Sequence, residues 1–219
     1  MKKNLTEIVF IIDRSGSMGG LESDTIGGYN SFLERQKKAE GEALVSTVLF
    51  NNRSEVLHDR VNIADVQPLG EKDYMAAGTT ALLDAIGGAV HHIGNIHKYA
   101  RDEDRPEHTV FVIITDGMEN ASRLYDYDHV QSMISRQQER FGWEFLFLGA
   151  NIDAVKEAGR IGISADHAVR HISDKKGTEL NYRVLADAVS GIRRGAASPS
   201  GSWKKEIERD YRNRGKQHK

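Results

Sequence analysis

Short, unbroken runs of apolar residues recur along the chain, and polar residues follow each of them directly. Three of these runs are the purest: IVFII at 8–12, VFVII at 110–114 and FLFL at 145–148. A strand that is covered on both faces shows continuous rather than alternating apolarity. The runs therefore predict buried strands of a parallel sheet.

A fourth apolar run, ALVSTVLF at 43–50, leads through Asn51 and Asn52 into RSEVLHDR at 53–60. Asparagine tolerates the left-handed backbone of tight turns, so this pattern is typical of a hairpin. We therefore expect one antiparallel edge strand on the otherwise parallel sheet. A last short strand is predicted at 167–172, where the sequence reads HAVRHI.

Helical periodicity separates the predicted strands. The clearest stripe has apolar residues at three- and four-residue steps: Leu82, Ala85, Ile86, Ala89, Val90, Ile93 and Ile96. Further helices are expected around Tyr29 and at 126–140, 153–160 and 178–192. The alternation predicts an α/β fold, a Rossmann-like, doubly wound sheet with helices on both faces.

The composition of the chain changes near residue 195. GAASPSGS, which begins at Gly195, is typical of a linker, and the residues after it are mostly charged. We expect one domain over 1–195 and a polar, charged tail over 196–219. The pattern leaves open whether this tail forms a short helix or is disordered.

Charge and cysteine content narrow the classes of function. The net charge of −2 predicts no general attraction to nucleic acid or to an anionic membrane. The chain has no cysteine, which excludes disulfides and thiolate zinc sites and suits a reducing compartment. The first apolar run is too short for a signal peptide or a membrane span. We expect a cytoplasmic location.

Small oxygen-bearing residues follow two of the predicted strands. Asp13, Ser15 and Ser17 come directly after the first strand, and Asp116 ends the strand at 110–114. Such residues meet at one edge of a parallel sheet, because its strands all end there. Hard oxygen donors without His or Cys suit Mg²⁺, then Mn²⁺, with Ca²⁺ not excluded.

Threonine hydroxyls at Thr79 and Thr80, just before the helix at 81–97, can reach the same edge. Hydroxyl ligands carry no charge, so an ion held by them would still attract one more anionic oxygen. We expect an Asp or Glu on the surface of another protein to supply it. The pattern therefore predicts a protein-binding site and no catalysis.

The motifs DRSGSM, GTTAL and ITDG occur in this order and resemble the von Willebrand factor A (vWA) domain with its metal-ion-dependent adhesion site, MIDAS. The resemblance spans roughly residues 6 to 190 and is closest to the bacterial, cytoplasmic type. It implies a Rossmann-like sheet and divalent-metal-dependent protein binding. By the family pattern, the metal ligands would be Asp13, Ser15, Ser17, Thr80 and Asp116.

Thr79 stands where bacterial members commonly have a second glycine, so either threonine remains a candidate ligand. The main alternative function is a Mg²⁺-dependent phosphohydrolase or phosphotransferase. Its dehalogenase-like form would need a second Asp where this chain has Ser15. A third hypothesis is a scaffold whose site stays empty in the cell.

The remaining candidates have ordinary explanations. Glu119 and Asn120 are interpreted as part of a solvated loop, with a place on the rim of the site as the alternative, and Trp143 is expected in the core. Met18 and Met118 are interpreted either as an apolar rim of the site or as packing residues. A final group is expected on a solvated helix face: His91, His92 and His97.

Overall fold

A computed structural model describes residues 1–196 and 200–214 and contains a six-stranded sheet in the order β3-β2-β1-β4-β5-β6. The strands are β1 (Lys2–Asp13), β2 (Glu42–Phe50), β3 (Ser54–Asn62), β4 (Pro106–Thr115), β5 (Glu144–Ala150) and β6 (Ala168–His171). Only β3 runs antiparallel to its neighbour among these pairs. The predicted mostly parallel sheet with an antiparallel edge strand is confirmed.

Helices cover both faces of the sheet, as the alternation predicted. They are α1 (Glu22–Lys37), α2 (Leu82–Tyr99), α3 (Tyr127–Phe141), α4 (Ala154–Arg160), α5 (Lys175–Arg193) and α6 (Lys205–Arg214). Side chains from α1, α5 and α6 share one apolar core, and those of α2, α3 and α4 share the other. Within the described ranges, no helix has the length and apolarity that a bilayer crossing requires.

The unbroken apolar run of β1 is explained by these two cores. Ile8 and Phe10 point into the core under α1 and α5, whereas Val9 and Ile11 point into the core under α2. Because both faces are dry, every position from 8 to 12 of this strand is apolar. Trp143, just before β5, is buried as predicted.

Close packing between α1 and α5 depends on Gly28. A Cβ at this position would lie 2.2 Å from Cδ2 of Tyr182 in α5, whereas a Cβ at Gly27 would meet nothing within 4 Å. Gly28 therefore serves a contact between the two helices.

A buried acid lies in the middle of β1. Both oxygens of Glu7 are paired: Oε1 accepts from Arg60 Nε at 2.7 Å, and Oε2 lies 2.8 Å from His97 Nε2. His97 also packs edge-on against Trp143. The prediction of a solvated histidine face is therefore wrong for His97, although His91 and His92 are exposed.

The described part of the predicted tail contains α6. Ile207 is buried in the core under α1 and α5. Lys204 Nζ, just before the helix, donates to the carbonyl oxygens of Ala165 at 2.5 Å and Ala168 at 2.8 Å. Residues 197–199 and 215–219 lie outside the described residues, and the domain end at 195 stays a prediction.

Candidate metal centre

Asp13 ends β1 at the carboxyl edge of the sheet, and its side chain is fully buried. Its Oδ1 accepts a hydrogen bond from the Ser15 backbone N–H at 2.7 Å, and its Oδ2 accepts from the Thr115 hydroxyl at 2.7 Å. The Tyr74 hydroxyl donates to the Asp13 carbonyl. These contacts hold the carboxylate in one orientation at the strand end.

A chain of oxygen atoms connects the loop after β1 with the loop after β4. Ser15 Oγ lies 3.0 Å from Ser17 Oγ, and Ser17 Oγ donates to Asp116 Oδ1 at 2.5 Å. Ser15 and Asp116 are buried, whereas Ser17 is exposed. The structure therefore brings together the four sequence-predicted residues of these two loops, and their exposed end faces solvent.

Thr80 completes the cluster from the loop that precedes α2. It is buried, whereas Thr79 is exposed. A Cβ placed on Gly117 would lie 3.0 Å from Thr80 Oγ1 and 3.1 Å from Ser17 Oγ, so these two hydroxyls converge beside Gly117. Of the two candidate threonines, Thr80 is the one that the fold directs at this point.

Asn120 connects the loop of Thr80 with the loop after β4 through two hydrogen bonds. Its Oδ1 accepts from the Thr80 N–H at 2.9 Å, and its own N–H donates to the Thr80 carbonyl at 3.0 Å. Asn120 is exposed in a loop, as expected, and its contacts also position a residue of the candidate site.

Glu119 is also a positioning residue rather than part of a solvated loop. Its carboxylate accepts from the N–H groups of Leu83, Ala121 and Ser122 and from the Ser122 hydroxyl, at 2.7–2.9 Å. The N-cap of α2, Ala81, has no capping side chain, so Glu119 supplies an acceptor from another loop. An uncapped helix start was the available sequence signal for this role.

The two candidate rim methionines differ. Met18 is buried and belongs to the core under α1 and α5, whereas Met118 is 63% exposed on the loop after β4. Packing therefore explains Met18. Met118 keeps an apolar surface beside Gly117 and Asp116.

Burial disfavours the negative charge of the two acids of the cluster. Burial raises the pKa of Asp13 despite hydrogen bonds from Thr115 and Ser15. Burial also raises the pKa of Asp116, and the charge of Asp13 adds to this effect. No ion pair involving either acid occurs among residues 1–196 and 200–214. The local charge therefore favours a bound cation.

The donor set fits a hard divalent cation. In the described part of the chain, no group of three or more His, Cys, Asp or Glu side chains is arranged to hold a metal. A metal here would depend on hydroxyl oxygens together with two carboxylates, which suits Mg²⁺, Mn²⁺ or Ca²⁺ better than Zn²⁺. Thr80 Oγ1 and Ser17 Oγ converge beside Gly117, and Ser17 Oγ contacts Ser15 Oγ and Asp116 Oδ1.

Comparison with known proteins identifies the fold. No family model and no curated protein matches the sequence. Among solved structures, the chain is similar to a von Willebrand factor type A protein from Catenulispora acidiphila, with a TM-score of 0.54, 16% identity and coverage of 87% of this chain and 43% of that one. It is also similar to the ArnB paralog VWA2 from Sulfolobus acidocaldarius, with a TM-score of 0.50, 18% identity and coverage of 85% and 45%.

A third similar structure is that of proximal thread matrix protein 1 from the mussel byssus with a zinc-occupied MIDAS motif. The TM-score is 0.58 at 16% identity, with coverage of 87% of this chain and 47% of that one. This chain thus spans about half the length of the structures that it matches. The protein has the Rossmann-like fold of vWA domains, with its candidate site at the carboxyl edge of the sheet.

Proposed function

We propose that this protein is a metal-dependent protein-binding module. The observation that carries the proposal is the convergence of Ser15, Ser17, Thr80 and the two acids Asp13 and Asp116, which form no ion pair with the residues that the structure describes. The zinc-occupied MIDAS motif of the similar byssus protein adds support for a divalent metal at this position of the fold.

Mg²⁺ is the proposed ion, with Mn²⁺ as its closest substitute. Asp13 and Asp116 would anchor it, partly through water, and Ser15, Ser17 and Thr80 would supply neutral oxygens. When bound, the ion would supply a positive charge that neutral ligands leave only partly compensated. An Asp or Glu exposed on the partner protein would then complete its coordination.

The burial of Asp13 favours binding over catalysis. Its side chain is fully buried at the strand end. An aspartate nucleophile of a phosphotransferase must instead be open to the phosphorus of its substrate. We therefore propose no enzymatic activity for this site.

The two threonines give a matched pair of variants for testing the metal site. We expect Thr80→Val to weaken Mg²⁺ and Mn²⁺ binding about tenfold, because it removes one buried oxygen ligand and keeps the shape. Thr79→Val should leave the affinity unchanged, because Thr79 is exposed. Isothermal titration calorimetry of both variants measures the difference. Equal affinities would contradict the assignment of Thr80.

Partner binding is tested by capture from a native lysate, with this chain as bait. We expect specific capture in Mg²⁺, and its loss both in EDTA and in the Asp13→Ala variant. Circular dichroism should show that Asp13→Ala keeps the fold. Capture that persists in EDTA would exclude a metal-completed interface. Turnover of phosphate esters that needs Mg²⁺ and Asp13 would instead support the phosphohydrolase alternative.

A further inference from the structure

A polar groove of about 840 Å³ adjoins the candidate metal centre on the side of α2. The groove is lined by residues of the hairpin turn and of the loops that carry Thr80 and Asp116: Asn52, Arg53, Thr79, Asn120, Ser122 and Arg123. Thr79 neighbours Thr80, and Asn120 is bonded to it. The groove therefore borders the loop that carries Thr80.

The charge of this groove comes from two arginines. Arg53 and Arg123 are exposed, and neither forms an ion pair with the residues that the structure describes. The nearest acid in the groove, Asp84, accepts from the N–H groups of Arg123, Leu124 and Tyr125 at 2.9–3.0 Å. Backbone donors thus partly offset Asp84, and both guanidinium groups remain available to an outside anion.

A second groove, of about 440 Å³, is lined by Ser17. Its acid, Asp174, is paired with Arg214 at 2.5 Å, and its arginine, Arg170, has its guanidinium 4.9 Å from the Tyr211 ring centre. The second groove thus offers one guanidinium without an ion pair among the described residues, whereas the first groove offers two. The charges therefore favour the groove of Arg53 and Arg123.

We propose that the partner of this site is an acidic segment, with one carboxylate at the metal and a second carboxylate in the groove between Arg53 and Arg123. This inference rests on the proposed function and adds the charge pattern of the partner. Arginine binds carboxylates through two parallel hydrogen bonds, which gives the second contact directionality.

The test uses short Gly-Ser peptides with one glutamate, and matched peptides with a second glutamate at increasing spacings. Their affinity is measured by fluorescence anisotropy in Mg²⁺ and in EDTA. We expect the second glutamate to tighten binding about threefold to tenfold at the spacings that reach the groove. The double substitution Arg53→Glu with Arg123→Glu should remove this gain.

Arg136→Glu is the matched control, because Arg136 is exposed on α3 and lines neither groove. The gain should persist in this variant. Three results would show that the proposal is wrong. The first is that the second glutamate does not tighten binding to the unaltered protein, and the second is that it still tightens binding to the double variant. The third result is a loss of the gain in the single variant Arg170→Glu. The proposed function is judged separately, because it requires the one-glutamate peptide to bind in Mg²⁺ and not in EDTA.

A second, independent observation concerns a cavity of about 10 Å³ directly beneath Asp116. Seven buried side-chain nitrogen or oxygen atoms of the described residues have no hydrogen-bond partner, and four belong to residues that line this cavity. They are Asp116 Oδ2, His171 Nε2, Asn181 Oδ1 and Tyr182 OH. Unpaired buried polar atoms are rare, so four around one small cavity indicate a shared polar occupant.

The chemistry of these four atoms indicates what the occupant must offer. His171 Nδ1 lies 3.2 Å from the Ile172 carbonyl, so it carries the hydrogen and leaves Nε2 as an acceptor. Burial lowers the pKa of His171 to about 4, so the ring is neutral at pH 7. Asp116 Oδ2 and Asn181 Oδ1 are acceptors too. Three acceptors and one hydroxyl call for a small hydrogen-bond donor.

We infer that this cavity holds one ordered water molecule, and that Asn181 and Tyr182 of α5 act through it as positioning residues for Asp116. The volume is about what one water molecule needs. A water can donate to two of the acceptors and accept from the Tyr182 hydroxyl. Asp116 would then be fixed from below by water and from above by Ser17.

The test is Tyr182→Phe, which removes one hydroxyl and keeps the ring that packs against Gly28. We expect Mg²⁺ affinity to fall about threefold to tenfold by calorimetry, and a crystal structure of the unaltered protein to show the water. Tyr29→Phe is the control, because the Tyr29 hydroxyl contacts Thr47 in the core, away from Asp116. It should lower stability and leave Mg²⁺ affinity unchanged.

Two results would overturn this inference. One is a well-resolved cavity that contains no water. The other is an Mg²⁺ affinity of Tyr182→Phe that equals the affinity of Tyr29→Phe. A purely structural role for Tyr182 would lower the unfolding midpoint of the variant without moving the metal affinity, so the two measurements separate the roles.

Discussion

Strand β1 carries two buried acids, one in its middle and one at its carboxyl end, and their partners differ. Glu7 and Asp13 are both fully buried. Glu7 is paired with Arg60 and His97, whereas Asp13 accepts from uncharged groups of Ser15 and Thr115 and forms no ion pair with the described residues. Within the described part of the chain, the strand thus has a charge-paired acid in its middle and an acid without a cation at its carboxyl end.

This difference separates a structural acid from a functional one. A buried carboxylate without a cation costs free energy, and the nearby Asp116 adds to that cost. In the middle of the strand, Arg60 of β3 supplies a cation and the His97 ring of α2 supplies a second partner, and both offset the burial of Glu7. At the carboxyl end, residues 1–196 and 200–214 supply no cation to Asp13, which is typical of a site that receives its cation from outside.

Removing the paired acid should have the largest effect on stability. We expect Glu7→Ala to lower the free energy of unfolding by about 3–5 kcal/mol, because it leaves Arg60 partly buried without its partner. Urea denaturation measures this loss. Glu42→Ala is the control: it breaks an exposed pair with Lys2 and should cost at most about 1 kcal/mol. Equal losses would contradict the contrast between buried and exposed pairs.

Neutralising the other buried acid should change stability only when metal is present. Without metal, we expect Asp116→Asn to be as stable as the unaltered protein or more stable, because it removes an unpaired buried charge. In Mg²⁺ at about one hundred times its Kd, the unaltered protein should gain about 2.7 kcal/mol, and the variant should not. Thermal unfolding in Mg²⁺ and EDTA measures both. A metal-free variant that is clearly less stable would contradict the contrast with Glu7.

Much of this contrast could be predicted from sequence. Strand ends are visible as breaks in apolar runs, so Asp13 and Asp116 could be placed at one edge of the sheet. The pairing of Glu7 could not be predicted, because Glu7 meets Arg60 and His97 only after three separate elements pack together. Glu119 and Asn120 were missed for the same reason: their partners lie across a loop boundary. The choice of Thr80 over Thr79 needed the burial of each side chain.

The smallest expected effect is the pH dependence of the metal-free protein. Burial raises the pKa values of Asp13 and Asp116 in the folded state above their usual value of 3.8. Between 3.8 and the raised pKa values, the folded state binds more protons than the unfolded state. The contribution of these acids to stability is therefore fully present below 3.8 and is lost as the pH rises through the raised pKa values.

To isolate the contribution of Asp116, the free energy of unfolding is measured across this pH range in EDTA. The measurement compares the unaltered protein with Asp116→Asn. As the pH rises, the unaltered protein should lose stability relative to Asp116→Asn. Mg²⁺ affinity should change in the opposite sense and increase with pH, since protons compete with the metal for the same carboxylates. A difference that does not vary with pH would contradict the raised pKa of Asp116.

The segment from Lys204 to α6 has a consequence for self-association. β6 is an edge strand, and exposed edges are templates for pairing with other chains. Lys204 Nζ donates to the Ala168 carbonyl of this strand. The indole N–H of Trp203 donates at 2.8 Å to the carbonyl of Asp166, which precedes the strand. A chain shortened to residue 195 would lose these contacts and gain an open strand edge. The segment from Lys204 to α6 thus covers the β6 edge and opposes its pairing with other chains.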